Sequence, residues 1–286
     1  MRINTNTASL MAQEANTNTN KKLTTSLEKL SSGLRINKAS DDASGLAIAD
    51  KLRTQASSLG QSISNGNSAV SLTQIADKAM AEQSNILDTI KAKLLQASTG
   101  TTSPEGIEAI EKDINKLLDQ LNNIASQTNY NGTALLQASM GAAGSSARSP
   151  LTFQMGETAA DTIATTSGVQ ANVTGLSLTT IKTDVATTGG MSAATARSYL
   201  KTIDKAITKL NSWRADYGST QNQLESAIRN QMTQQTNIKA AESVIRDVDY
   251  AQESATFNKQ NIISQAGTFA MSQANNVQQN ILRLLQ

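Results

Sequence analysis

Apolar positions in this chain recur at helical spacing, but in narrow seams rather than broad faces. Ile107, Ile110, Ile114, Leu117, Leu121 and Ile124 alternate steps of three and four without exception. That spacing is a coiled-coil seam. Pro104 suits the first helical position, with Ser103 or Thr102 as cap and Glu105 in the first turn. Upstream, Leu72, Ile75, Ala79, Ile86, Ile90 and Leu94 outline a second helix, from about Ala56 to Ala97. The Ser98–Thr102 cluster between the two predicts a turn, so the pair is expected to form an antiparallel hairpin.

A third helix is predicted from Leu200 to Ile245, with nine apolar residues among its fourteen seam positions. At about 1.5 Å per residue it would extend about 69 Å. Such a helix predicts a rod, with a thin core in its polar later half. The intervening segment, about 139–195, is different in kind: it holds seven of the sixteen glycines and few charges. Leu151, Phe153 and Met155 alternate, as do Val169, Ala171 and Val173, and short hairpins are expected there. At the ends, Leu23, Leu27, Leu30 and Leu34 share a helical stripe, as do Val277, Ile281 and Leu284. Only Arg2 and Glu14 are charged in the first twenty residues, and neither stripe is wide enough to be buried alone. The fold class expected is mainly α: long antiparallel coiled-coil helices in a rod, a small β-hairpin insertion, and terminal helices that pair on assembly.

Composition removes most chemistry. With no His and no Cys among 286 residues, imidazole bases, histidine or thiolate metal sites and disulfides are excluded. Aromatic residues number eight, while Asn and Gln total 47. A net charge of +2 argues against a nucleic-acid or anionic-membrane partner. There is no apolar run of membrane-spanning length and no signal-peptide stretch at the N-terminus. No catalytic, cofactor or metal site is expected.

Ser31-Ser32-Gly33-Leu34-Arg35-Ile36-Asn37 and Asp41-Asp42-Ala43-Ser44-Gly45-Leu46-Ala47-Ile48-Ala49 resemble the N-terminal signature of bacterial flagellins. Ile245-Arg246-Asp247-Val248-Asp249-Tyr250-Ala251, Gln265-Ala266-Gly267-Thr268 and Gln273–Leu282 resemble the C-terminal signature, and Asn129-Tyr130-Asn131-Gly132 the family's turn after its first hairpin. The likeness spans roughly 1–140 and 196–286. It implies a minimal filament subunit: residues 1–40 with 247–286 as an inner, channel-lining domain, and residues 41–246 as the rod domain, its insertion at about 139–195 facing solvent. It also implies self-assembly into an extracellular homopolymer, unfolded export through the flagellar type III apparatus, and a chaperone on residues 248–286. Filament cap and hook-junction proteins are further implied partners. A minor junction protein of the same axial structure and a secreted coiled-coil adhesin are the alternatives.

The residues assigned to assembly are Leu23, Leu27, Leu30, Leu34, Val277, Ile281 and Leu284, with Arg35, Asp41 and Asp42 as a spoke that caps helices or contacts a neighbouring subunit. Arg35 is either an exposed charge or a fork for a carboxylate. The resemblance implies that the positions through which many flagellins engage a vertebrate Toll-like receptor are Thr89, Lys93 and Asp113 here. There the family's Arg and Leu are replaced, and weak activation is expected. Candidate O-glycosylation positions, similar to those of some flagellins, are Thr165, Thr166, Ser167, Thr179 and Thr180.

Overall fold

The computed structural model describes residues 5–141, 144–165, 168–187 and 191–284, with the side chains of 278 and 281–284 excepted. Six helices and two strand pairs follow in the order α1 (Thr7–Ser32), α2 (Ala43–Ala97), α3 (Pro104–Gln127), β1 (Asn129–Tyr130), β2 (Thr133–Ala134), β3 (Thr152–Gln154), β4 (Thr162–Ala164), α4 (Thr179–Ala186), α5 (Ala193–Arg246) and α6 (Tyr250–Leu284). The mainly α expectation holds. The chain divides into two compact units, residues 58–234 and residues 1–57 with 235–286.

Caps set the helix boundaries, and two of them correct the sequence reading. Helix α2 begins at Ala43 rather than near Ala56, because the Asp42 carboxylate accepts the Gly45 N–H at 2.9 Å. Helix α5 begins at Ala193, where Ser192 and Thr195 exchange side-chain and backbone hydrogen bonds reciprocally. Pro104 and the Ser103 cap start α3 as expected. Helix α1 stops at Gly33, whose φ of +74° closes the helix in the left-handed conformation. Leu34 therefore lies beyond the helix, and its predicted helical phase with Leu30 is wrong.

In the unit of residues 58–234, the buried face of α5 runs through Ala196, Tyr199, Ile203, Ala206, Leu210, Trp213, Tyr217, Thr220, Leu224, Ile228 and Gln231. From Ala196 to Tyr217 these residues alternate steps of three and four and pack with Met80, Leu87, Ile90 and Leu94 of α2 and Ile110, Ile114, Leu118 and Leu121 of α3 in one core. The seam of α3 is wider than predicted: Leu118 and Ala125 are buried, while Ile107, Leu117 and Ile124 flank the core. Helix α4 also packs on α3, through Ile181 and Val185, so α3 needs more than one apolar row. Ile75, predicted on the α2 seam, is 41% exposed and outside the core.

The insertion keeps only one of its expected alternating runs as a strand. Phe153 pairs with Ile163 in the antiparallel β3–β4 ladder, and Met155 and Ile163 join a small second core with Leu224 and Ile228. Val169, Ala171 and Val173 are buried without forming a hairpin. Their backbone is satisfied singly: the Ala171 N–H donates to the Leu136 carbonyl, and the Val173 N–H donates to Asn122 Oδ1 at 2.9 Å. Period-two burial arises here from a loop threaded over a core, where single acceptors, one backbone and one side-chain, replace a partner strand.

Candidate assembly surface

The unit of residues 1–57 and 235–286 is built around the pairing of α1 with α6. Its composition dictates a thin interface. Of the α1 side chains only Ser26 is buried, and none of the described side chains of α6 is. The two helices are joined by scattered polar contacts instead. The Asn6 amide donates to the Ala274 carbonyl at 3.2 Å, the Ser264 hydroxyl donates to Asn20 Oδ1 at 2.8 Å, and the Ser26 hydroxyl donates to the Glu253 carboxylate. These cross-links were not legible in the sequence, since Asn, Ser and Glu at helical positions ordinarily face solvent.

Large apolar side chains on the same pair stay in water. Leu10, Met11, Leu27, Ile262, Ile263, Phe269 and Val277 are exposed, Phe269 by 76%. Of the assembly residues named from sequence, Leu23, Leu30 and Leu34 are half-buried, while Leu27 and Val277 are open. Helix α6 includes the backbone of Ile281 and Leu284, whose side chains lie outside the described residues. Large apolar side chains left in water on a helix pair with almost no core make it the candidate assembly surface.

The connection between α1 and α2 is pinned to the α5–α6 connection. Leu34 and Asp247 form an isolated antiparallel bridge, flanked by the Arg35 N–H on the Arg246 carbonyl and the Val248 N–H on the Gly33 carbonyl. The guanidinium of Arg35 donates to the Ile245 carbonyl at 2.6 Å rather than to a carboxylate. A cation at a helix C-terminus is favourable because the last carbonyls are unpaired and carry the negative end of the dipole. The carboxylate partner goes instead to Arg246, whose guanidinium lies 3.5 Å from Asp50.

Asp41 and Asp42 have separate tasks. Asp42 caps α2, and Asp41 sits in the preceding turn, accepting the N–H groups of Asn37 and Lys38 at 3.1 and 3.0 Å. The bond from Lys38 N–H is the main reason the Asp41 carboxyl titrates below the usual range. Lys38 itself is held above its ordinary value by its hydrogen bond to Glu28.

The remaining sites named from sequence lie in the other unit. Lys93 and Asp113 pair across the α2–α3 hairpin at 2.9 Å, and the exposed Thr89 hydroxyl donates to the Asn85 carbonyl. Thr165 is buried, with its hydroxyl accepting the Leu151 N–H at 2.9 Å, and so is no place for a glycan. Thr179 and Thr180 are exposed on the first turn of α4, and Thr166 and Ser167 lie outside the described residues. Among the described residues no group of acidic side chains is arranged to hold a metal ion, and no helix is long and apolar enough to cross a membrane.

Residues 3–141 match the bacterial flagellin N-terminal helical region, and residues 200–285 match the bacterial flagellin C-terminal helical region. The chain is 37% identical over 303 residues to a flagellin of Bacillus subtilis, with the whole of both chains covered. It is 34% identical over 299 residues to the flagellar filament 33 kDa core protein of Treponema phagedenis, again across the whole of both. Its fold is similar to that of a solved putative flagellar hook-associated protein from Vibrio parahaemolyticus, with a TM-score of 0.61 at 14% identity, covering 72% of this chain and 99% of that one.

Proposed function

We propose a mechanism from the premise that this chain belongs to the bacterial flagellins and is a structural subunit of the flagellar filament. The α1–α6 pair is the polymerisation element. It is only half a structure in the monomer, and its open apolar side chains are covered by neighbouring copies. The observation that carries this is the coincidence, on one helix pair, of Leu10, Met11, Leu27, Phe269 and Val277 in water with almost no buried side chain. A thin apolar stripe cannot offset the ordering entropy of two long helices. Assembly adds the missing area, and contacts between unlike faces that do not close a ring extend into a helical filament.

In the filament, residues 1–40 and 247–286 line the channel, residues 41–246 form the surrounding rod domain, and the insertion at about 139–195 faces solvent. The weak internal cohesion of the terminal pair also suits passage of an unfolded chain through the type III export apparatus. A cytoplasmic chaperone covers residues 248–286 before export, taking an amphipathic helix into a groove. Filament cap and hook-junction proteins meet the same terminal surface outside the cell. The filament is extracellular, and its role requires no catalysis, which a chain without His or Cys is poorly equipped to provide. Arg35, Asp41 and Asp42 shape the spoke that fixes how the terminal pair leaves α2 and α5.

Two finer readings follow. The Lys93–Asp113 pair satisfies two of the receptor-equivalent positions internally, and Thr89 offers no guanidinium fork, so the monomer activates the Toll-like receptor weakly. Glycans, where present, attach to exposed hydroxyls such as Thr179 and Thr180.

The test is electron microscopy of purified monomer after seeding or salt-induced assembly, beside a chain lacking residues 276–286. Long uniform filaments from the intact chain and none from the truncation are expected. An intact chain that stays monomeric on authentic filament seeds would remove the polymerisation reading in favour of a minor axial protein.

A further inference from the structure

The chain holds two Asn-Gly pairs, Asn65-Gly66 and Asn131-Gly132, and the fold places them in opposite surroundings. An Asn followed by Gly is prone to a reaction within the chain. Glycine has no side chain to shield its own nitrogen or to restrict the local backbone, so that nitrogen can reach the amide carbon of the preceding Asn. Whether it does so in a folded protein depends on what holds the two groups.

Asn65-Gly66 lies well inside α2, where each backbone N–H is engaged with a carbonyl one turn back. Gly66 is buried, and a Cβ there would stand 2.8 Å from Ile228 and 2.8 Å from Met155. The Asn65 amide is also held. Its Oδ1 accepts a hydrogen bond from the Gln61 amide at 3.0 Å, and its Nδ2 donates to the Gln154 carbonyl at 3.5 Å. Bringing Asn65 Cγ onto the Gly66 nitrogen requires that turn of α2 to open and its packing on Ile228 to be lost.

Asn131-Gly132 has none of these restraints. It is the two-residue tip of the β1–β2 hairpin, between the paired Tyr130 and Thr133. Both residues are exposed, and no other group lies within 4 Å of where a Gly132 Cβ would stand. Among the described residues neither the Asn131 side chain nor the Gly132 N–H forms a hydrogen bond. Nothing there has to unfold before the two groups meet, and water reaches them freely.

We propose that Asn131 is a site of spontaneous deamidation in the folded protein, and that the fold protects Asn65 from the same reaction. The Gly132 nitrogen bonds to Asn131 Cγ and gives up its proton. The Cγ–Nδ2 bond breaks, and the side-chain nitrogen leaves as ammonia with that proton. Water then opens the cyclic imide. Opening at Cγ leaves an aspartate; opening at the main-chain carbonyl leaves an isoaspartate, with the chain routed through the former side chain. Either product adds one negative charge. Isoaspartate also lengthens the hairpin tip by one main-chain carbon, next to the buried Ala134, Leu135 and Leu136.

Peptide mapping by mass spectrometry, with isoaspartyl and aspartyl peptides separated, tests this on full-length protein aged in neutral buffer. Product at position 131 should accumulate at least about tenfold faster than at position 65, because Asn65 reacts only when α2 opens locally. In denaturant the two sites should react at comparable rates, since the fold is then no longer there to distinguish them. Asn131→Gln should remove the hairpin product, because its longer side chain does not form the same five-membered ring. The native-chain comparison needs no variant, so it decides the matter even if Asn131→Gln folds poorly. Equal rates in the native protein, faster loss at Asn65, or no product at Asn131 while the denatured chain reacts would overturn the proposal. So would a lead for Asn131 that persists undiminished in denaturant, which would assign the preference to the flanking residues instead of the fold.

Discussion

The unit of residues 58–234 and the unit formed by the two chain ends are both made of long helices, yet they are held together by different physics. In the first, buried residues of α5 close on α2, α3 and the insertion in two cores of Leu, Ile, Met, Trp and Tyr side chains. In the second, α1 buries one serine, and apolar residues such as Phe269 stand in water. The first has an interior of its own; in the second, apolar burial is confined to a few side chains such as Ile36, Ala49 and Ala56, and the α1–α6 pair relies on polar contacts. The difference shows that helix formation and helix burial are separable, and that a polymerising protein can leave the second step to its neighbours.

The sharpest way to break this comparison is a matched pair of truncations. Leu121→Ala, at a fully buried site, is expected to destabilise the monomer by about 2–5 kcal/mol, read as a lower denaturant midpoint. Leu27→Ala, at a site 55% exposed, should change monomer stability by no more than about 0.5 kcal/mol while reducing filament yield. Equal losses from the two would abolish the distinction. Next in size, Asn122→Ala leaves the buried Val173 N–H without its acceptor. A loss of about 1–3 kcal/mol is expected, with faster hydrogen exchange at Val173.

A smaller effect should come from Asp42→Ala, which removes the cap of α2. About 1 kcal/mol is expected, seen as fraying of residues 43–46 by hydrogen exchange rather than as global unfolding. The smallest concerns pH. Because the folded pKa of Asp41 is lowered, its contribution is fully present above the ordinary carboxylate value of 3.8 and is lost as pH falls through the folded value. The group is exposed, so the change should be local. Chemical shifts of Asn37 and Lys38 should move below pH 4 in the native chain and stay flat in Asp41→Asn.

Fold class was legible because a seam of alternating threes and fours leaves few alternatives. Asn131-Gly132 was equally readable as a turn: φ values of +50° and +77° at those residues suit the tight connection of β1 to β2. The same periodicity missed the start of α2, since the buried positions between Asp42 and Thr54 are the small Gly45 and Ala49 while Ile48 is exposed, so no seam of large apolar residues shows there. It misjudged Val169–Val173, where alternate burial reflects a loop satisfied by Asn122 and Leu136 rather than a strand. Of the assembly surface, the stripe residues were visible but not their exposure. Nothing local distinguishes Leu27 in water from Leu121 in a core.

By itself, then, the sequence determined where helices form, where they turn, and which chemistry is impossible, because those follow from local spacing, caps and the residues present. Tertiary structure alone decided which apolar residues have a partner within the chain, that Arg35 would serve a helix end while Arg246 takes the carboxylate, and that Thr165 would be sealed from modification. Burial and pairing depend on residues far apart in sequence meeting in space, and no local pattern records that meeting.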